Sequence, residues 1–161
     1  MKFLTPCLAI LLVLMVTSCN AEITGTVVDA ETGRPIEGAV VLVEWTMTKG
    51  VPGMSHTESY KVIEIFTNMN GKYNIPRVLN PLVYSPDITI YKKGFVAWNN
   101  KLIFPEHKKR TDFSLRDDNI YKLERFKIEY DKNNHQAFID DVIHVGLATE
   151  KKQQFMRSYR D

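Results

Sequence analysis

The stretch "GTVVDAETGRPIEGAVVLVEW", residues 25–45, decides how the rest of the chain is read. Ile23-Thr-Gly-Thr-Val-Val-Asp29, which overlaps its start, and Ala39–Trp45, rich in β-branched residues, read as two strands. Between them Glu31-Thr-Gly-Arg-Pro-Ile-Glu-Gly38 is turn chemistry. Gly33 and Gly38 relieve the backbone, and Pro35 fixes its own φ and offers no donor to a ladder. The acidic and basic residues crowded there raise the question of an active site, but the turn is explained without one.

Working outward, the strand pattern continues. Tyr60–Thr67 is a third strand, and Asn68-Met-Asn-Gly71 is a tight turn with the Asn-Gly signal. Lys72–Ile75 and Asp87–Lys92 follow, then Phe95–Phe104, stopped by Pro105. Thr111–Leu115 and Ile120–Arg125 are expected to close a last hairpin. Residues 46–59, with Gly50, Pro52 and Gly53, are expected to form a long loop. After Arg125 the period changes. Phe138, Val142 and Val145, with Ile139, Ile143 and Gly146 beside them, mark a helix over 134–159, capped by Asn133 or Asn134. The amphipathic stripe needs a surface, either the sandwich or a partner.

Toward the start, Lys2 and the nine-residue apolar run Leu8–Val16 form a secretory signal. That run is too short to span a bilayer as a helix. It ends in Val16-Thr17-Ser18-Cys19, which resembles a bacterial lipobox. The resemblance implies a signal peptide over 1–18, acylation of Cys19 with diacylglycerol and palmitate-like chains, and a short linker over 19–22. The chain is then held to a membrane of the bacterial envelope by its lipid. The periplasmic face of an outer membrane or the cell surface is the expected location. The alternative is plain secretion with cleavage after Ala21. Cys7 and Cys19 are the only cysteines, so no disulfide is expected. The net charge is +2, and losing residues 1–18 removes one lysine and no acid. Such a balance excludes a nucleic-acid footprint.

Three motifs in order carry a family resemblance. Gly25-x-Val27-x-Asp29 with Thr32-Gly33, Pro35 and Gly38-Ala39-x-Val41-x-Val43 is the first. Thr67-x-x-x-Gly71-x-Tyr73 is the second, and Tyr91-Lys-Lys-Gly94-Phe95 the third. Together they resemble carboxypeptidase regulatory-like domains over residues 22–104, or to 126 with the last hairpin. The resemblance implies a mainly β fold: a seven-stranded antiparallel prealbumin-like β-sandwich over 23–126, with a C-terminal helical extension over 127–161. It implies an accessory, non-catalytic module with no cofactor.

The first strand is also similar to transthyretin-like hydrolases, but their catalytic histidine position is Thr26 here. Threonine does not titrate near neutrality. The chain ends Tyr159-Arg160-Asp161 where those enzymes end in Y-R-G-S. His56, His107, His135 and His144 have no metal-motif spacing, and no metal is expected. His144 stands at i,i+4 from Asp140 as a surface pair. Glu44 and Glu64 lie within strands. Trp45, Tyr91 and Trp98 are the candidate ligand contacts, as an aromatic platform for glycan or peptide if exposed together. Packing within the core is the alternative for all three. Lys108-Lys109-Arg110 is a basic turn, either solvated or touching anionic lipid. The expected function is a membrane-anchored binding or scaffolding module with an envelope protein or glycan as partner. The alternative is an accessory subunit docking through the helix.

Overall fold

A computed structural model describes residues 22–143. Cys19 and the part of the expected helix from His144 to Tyr159 lie outside the described residues. Nine strands precede one helix: β1 Glu22–Asp29, β2 Val40–Val51, β3 Met54–Phe66, β4 Lys72–Pro76, β5 Asp87–Tyr91, β6 Trp98–Asn99, β7 Leu102–Ile103, β8 Lys108–Lys109, β9 Asn119–Leu123 and α1 Lys132–Val142. They build a three-stranded sheet, β4-β1-β9, a four-stranded sheet, β3-β2-β5-β6, and a small β7-β8 ribbon.

Burial follows the pleat. In β1 every second residue from Ile23 to Asp29 is buried, as a period-two strand with one covered face requires. Ile23, Val27, Tyr73, Ile75, Tyr121 and Leu123 of one sheet meet Val41, Val43, Trp45, Ile88 and Ile90 of the other. The two sheets therefore share one apolar layer. β2 is buried on both faces from Val40 to Thr46. Its second face, Val40 and Leu42, packs with Tyr91, Phe104 and the helix residues Phe138, Ile139 and Ile143. An unbroken apolar run in a strand means that both sides are covered, and here the second cover is the helix. Phe138, Ile139 and Ile143 of the expected stripe are thus buried against the protein's own sheet, Val142 is half-buried, and Val145 lies outside the described residues.

Local chemistry accounts for the motif residues. Gly25 is glycine because a Cβ there would lie 2.5 Å from the Tyr121 ring and 2.7 Å from that of Tyr73. Gly71 has φ of 69°, and a Cβ would lie 2.4 Å from the Val27 carbonyl oxygen. The buried Thr67 hydroxyl donates to the Ile36 carbonyl at 2.7 Å and accepts from the Ala39 N–H at 2.8 Å. The Asn68 carboxamide accepts from the N–H groups of Asn70 and Lys72, closing the turn before β4.

Four sequence expectations are corrected. Residues 46–59 are not a loop: β2 and β3 stay paired from Thr46↔Ser59 to Val51↔Met54, with Pro52-Gly53 at the tip. A register shift between Trp45 and Thr46 marks where this hairpin arm leaves the core. Beyond it cover fades, Thr46 being buried, Met47 half-buried and Thr48–Val51 exposed, so no alternation betrays the strands. The single strand expected over 95–104 is interrupted, because the Asn99 carboxamide accepts from the N–H groups of Lys101 and Leu102 and turns the chain. Residues 111–115 do not pair with 120–125. Instead β9 runs parallel to β1, Gly25↔Asn119 to Asp29↔Leu123, the one parallel pairing among the described strands. Finally, the helix cap is Asp131, whose carboxylate accepts from the Asn134 N–H at 2.8 Å, and the described helix ends at Val142. Among the described residues no helix is long and apolar enough to cross a membrane.

Candidate functional site

The charged turn after β1 is built to hold itself. Asp29 is only 4% exposed. Its carboxylate accepts from the N–H groups of Glu31 and Thr32 and from Arg125 Nε at 2.9 Å, with Arg125 Nη2 at 2.6 Å. Burial alone pushes this carboxyl up, but the two N–H donors and the Arg125 guanidinium outweigh it and hold the group below the usual range. The pair ties the first turn to the chain leaving β9. Arg34 in the same turn is exposed. The turn is structural.

The three aromatic candidates part company. Trp45 is 2% exposed and packs between the sheets. Tyr91 sits opposite Val40 on the other face, under the helix. The exposed platform that would join them does not form, because strand parity sends the two rings to different layers. Only Trp98 reaches a concavity.

That concavity is a cleft of about 270 Å³ between the 96–98 segment, the 110–113 segment and β9. The Trp98 ring stands edge-on to Phe113 at 5.1 Å and to Tyr121 at 4.8 Å. The Arg110 guanidinium lies over the Trp98 ring, 4.7 Å from its centroid. Arg110 Nε donates to the Asn99 carbonyl at 2.8 Å, and the side chain is only 13% exposed. Asp112, largely exposed at the rim, accepts from Arg110 Nη1 at 3.4 Å. Ile120 and Lys122 project from β9 on the same side. The result is a cleft of mixed lining: Trp98, Phe113, Ile120 and Leu123 supply apolar surface, and Arg110, Asp112, Lys122 and Glu124 supply charges of both signs. The basic turn hid this. Lys108 and Lys109 are exposed in β8, while Arg110 turns inward. Nothing in a Lys-Lys-Arg string distinguishes the third residue from the first two.

A second groove, about 400 Å³, runs beside Thr26, Phe66, Asn68 and Tyr73. Thr26, at the position of the hydrolases' histidine, lines it. Beneath it the Tyr73 and Tyr121 rings lie tilted to each other with centroids 5.8 Å apart, and burial pushes both phenols up, Tyr73 further because Tyr121 faces it.

The described histidines are dispersed. His56 is on the arm, and His107 approaches Asp141 at 3.2 Å. His135 is 4% exposed, and its Nε2 accepts from the Ala97 N–H at 2.9 Å. Burial pushes His135 down to about 4, so at neutral pH the ring is uncharged. His144 lies outside the described residues. Glu44 and Glu64 share one face of the β2-β3 pair, as diagonal neighbours across Leu42 and Val62. Among the described residues no group of three or more His, Cys, Asp or Glu is placed to hold a metal ion.

No protein-family model matches the chain, and no curated protein matches it.

Proposed function

We propose that this chain is a lipid-anchored binding module of the bacterial cell envelope that performs no catalysis itself. Its binding site is the Trp98–Arg110 cleft, the observation that carries the reading. Arg110, held over Trp98 and beside Asp112, with Lys122, Glu124 and the apolar Phe113 and Ile120 around it, suits a ligand that offers polar or charged groups next to an apolar one. A protein segment has that chemistry. A stacked sugar is less well served, because Arg110 already covers a face of Trp98. The anchor is carried by Val16-Thr17-Ser18-Cys19. Docking through the helix is less favoured, because Phe138, Ile139 and Ile143 are already buried. The prealbumin-like reading of the fold, with its kinship to carboxypeptidase regulatory-like domains, belongs to the same proposal. Its support is that Gly25, Asp29, Thr67 and Gly71 each hold a strand or a turn in place.

The test is a photo-crosslinking residue placed at Ile120, 66% exposed on the cleft rim, in intact cells. A discrete adduct is expected there and not at Glu37, which is exposed in the first turn. Arg110→Ala should abolish it. Equal labelling from both positions, or no dependence on Arg110, would refute the cleft as the site.

A further inference from the structure

The start of β1, the crossing 77–86 and the base of the hairpin arm occupy one end of the sandwich. Glu22 pairs with Pro76, the last residue of β4. From there the chain crosses to β2, where Val83 bridges Met47 and the Tyr84 N–H donates to the Thr46 carbonyl at 2.8 Å. The Tyr84 hydroxyl meets that of Thr48 at 2.6 Å, fastening the crossing to the arm. The β1–β2 connection lies at the opposite end, so β2 runs back toward the end where β1 begins. Past Thr46 the arm continues for five residues to Val51, which at strand rise is about 17 Å.

This end is unusually apolar for an exposed surface. Leu79 is 77% exposed, Leu82 72% and Tyr84 54%; at the arm tip Val51 is 62% and Met54 80%. Other exposed apolar residues, such as Met69 and Ile128, are not part of this end. Three ion pairs lie nearby, Lys49 with Glu58, Arg77 with Asp117, and Lys101 with Asp87, while the Glu22 carboxylate accepts from the Asn74 side chain. The attraction this end can exert on a neutral surface is therefore apolar.

Tether length decides what covers it. Cys19 precedes Glu22 by three residues, and three extended residues reach about 10 Å. An acylated Cys19 fixes its sulfur at the bilayer surface, so Glu22 stands within that distance of it. The arm, about 17 Å long by strand rise, is longer than the tether. We propose that this end of the sandwich rests on the bilayer, with Leu79, Leu82 and the Val51–Met54 tip in the headgroup–acyl boundary. Tyr84 suits the same boundary, with an apolar ring and a polar hydroxyl. The anchor then sets orientation as well as location, and the far end, with the turns at 30–38 and 67–71, faces away from the membrane. This inference rests on the lipid-anchor reading.

The experiment uses the mature lipidated protein in phosphatidylcholine vesicles. Acylation blocks the Cys19 sulfur, and Cys7 leaves with the signal, so one introduced cysteine is a unique label site. An environment-sensitive dye at Leu82→Cys or Met54→Cys should shift to the blue and be quenched by bromine-labelled lipid. The same dye at Glu37→Cys should do neither. The shift should be the same in phosphatidylglycerol vesicles, since the contact is apolar. If mass spectrometry finds Cys19 unmodified, the anchor reading and this inference fall together. If Cys19 is acylated but all three dyes report water, only the inference falls. A shift that rises with protein density, without quenching by lipid, would assign the surface to a second copy or another protein and overturn it.

Discussion

Phe138→Ala measures whether the helix belongs to the folded core. The ring is fully buried, 5.7 Å from Phe104 and 5.2 Å from His107, both near edge-on. It lies in the same cluster as Val40 and Leu42, the second face of β2. Truncating a buried Phe to Ala costs about 3–5 kcal/mol, transfer plus cavity. The helix cannot absorb that loss. Its 11 residues are too few to persist alone in water. It keeps its place through Phe138, Ile139 and Ile143, each contributing roughly 1.5–3 kcal/mol by burial before ordering entropy is subtracted.

Against a total stability of about 5–15 kcal/mol, that cost is a large fraction. For a domain of this size it corresponds to a fall in melting temperature of roughly 10–20 °C. Urea titration followed by circular dichroism is the assay. The midpoint should drop while the slope stays unchanged, because the same surface is exposed on unfolding. Ile128→Ala, at a fully exposed position, is the control and should stay within about 0.5 kcal/mol. A Phe138→Ala loss under about 1 kcal/mol would refute the reasoning. The helix would then be an appendage, and docking of a partner through it would regain ground.

Gly25→Ala drives a methyl group against the Tyr73 and Tyr121 rings and should cost about 1–3 kcal/mol by overpacking. Adding Tyr121→Leu should recover part of that loss in a double-mutant cycle, and strict additivity of the two would count against the contact. His135 should make stability depend on pH: its folded pKa of about 4 lies below the ordinary 6.5, so the unfolded chain binds the extra proton. Stability is then full above 6.5 and declines as pH falls toward 4, by up to about 3 kcal/mol. His135→Gln keeps an acceptor for the Ala97 N–H and should flatten denaturant midpoints across that window, whereas an unchanged slope would show that other groups set it.

Where one face of a strand is covered, the local sequence was enough to find it. β1 and β4 were legible from alternation and from the Asn-Gly and Pro signals beside them, whereas β5, found from its Ile-Thr-Ile-Tyr run, is buried on both faces. The arm was not, because from Thr48 to Val51 every residue of β2 is exposed and polar residues carry no phase. The parallel β1–β9 pairing was not either, since a contact between Gly25 and Asn119 leaves no trace in the residues around Asp117 and Asp118. Asp131 was missed as the cap because it stands just ahead of two asparagines that are equally good capping residues. Trp45 and Tyr91 are the instructive pair. Trp45 shares parity with Val41 and Val43, and Tyr91 pairs with Val40, so the pleat alone sends them to opposite layers once the register is known. Arg110 had no such handle; its place over Trp98 depends on the turn at Asn99.

The residues that make the sequence resemble a known family are also those whose chemistry is already committed. Gly25 makes room for two tyrosines, Asp29 ties Arg125, the Thr67 hydroxyl joins Ile36 to Ala39, and Gly71 closes on Val27. None of these groups is left to meet a ligand. A motif of this kind preserves an architecture and is silent on what the architecture presents. What distinguishes this chain must be sought where the motif imposes nothing: the long β2–β3 arm, the crossing with Leu79 and Leu82, and the cleft closed by Arg110. The first two lie at the end where the lipid would enter, and the cleft opens on the β9 side of the sandwich. Anchoring and binding can therefore vary independently on one core. An arm shortened at its tip should change how the domain sits on the membrane and leave Arg110-dependent crosslinking from Ile120 intact.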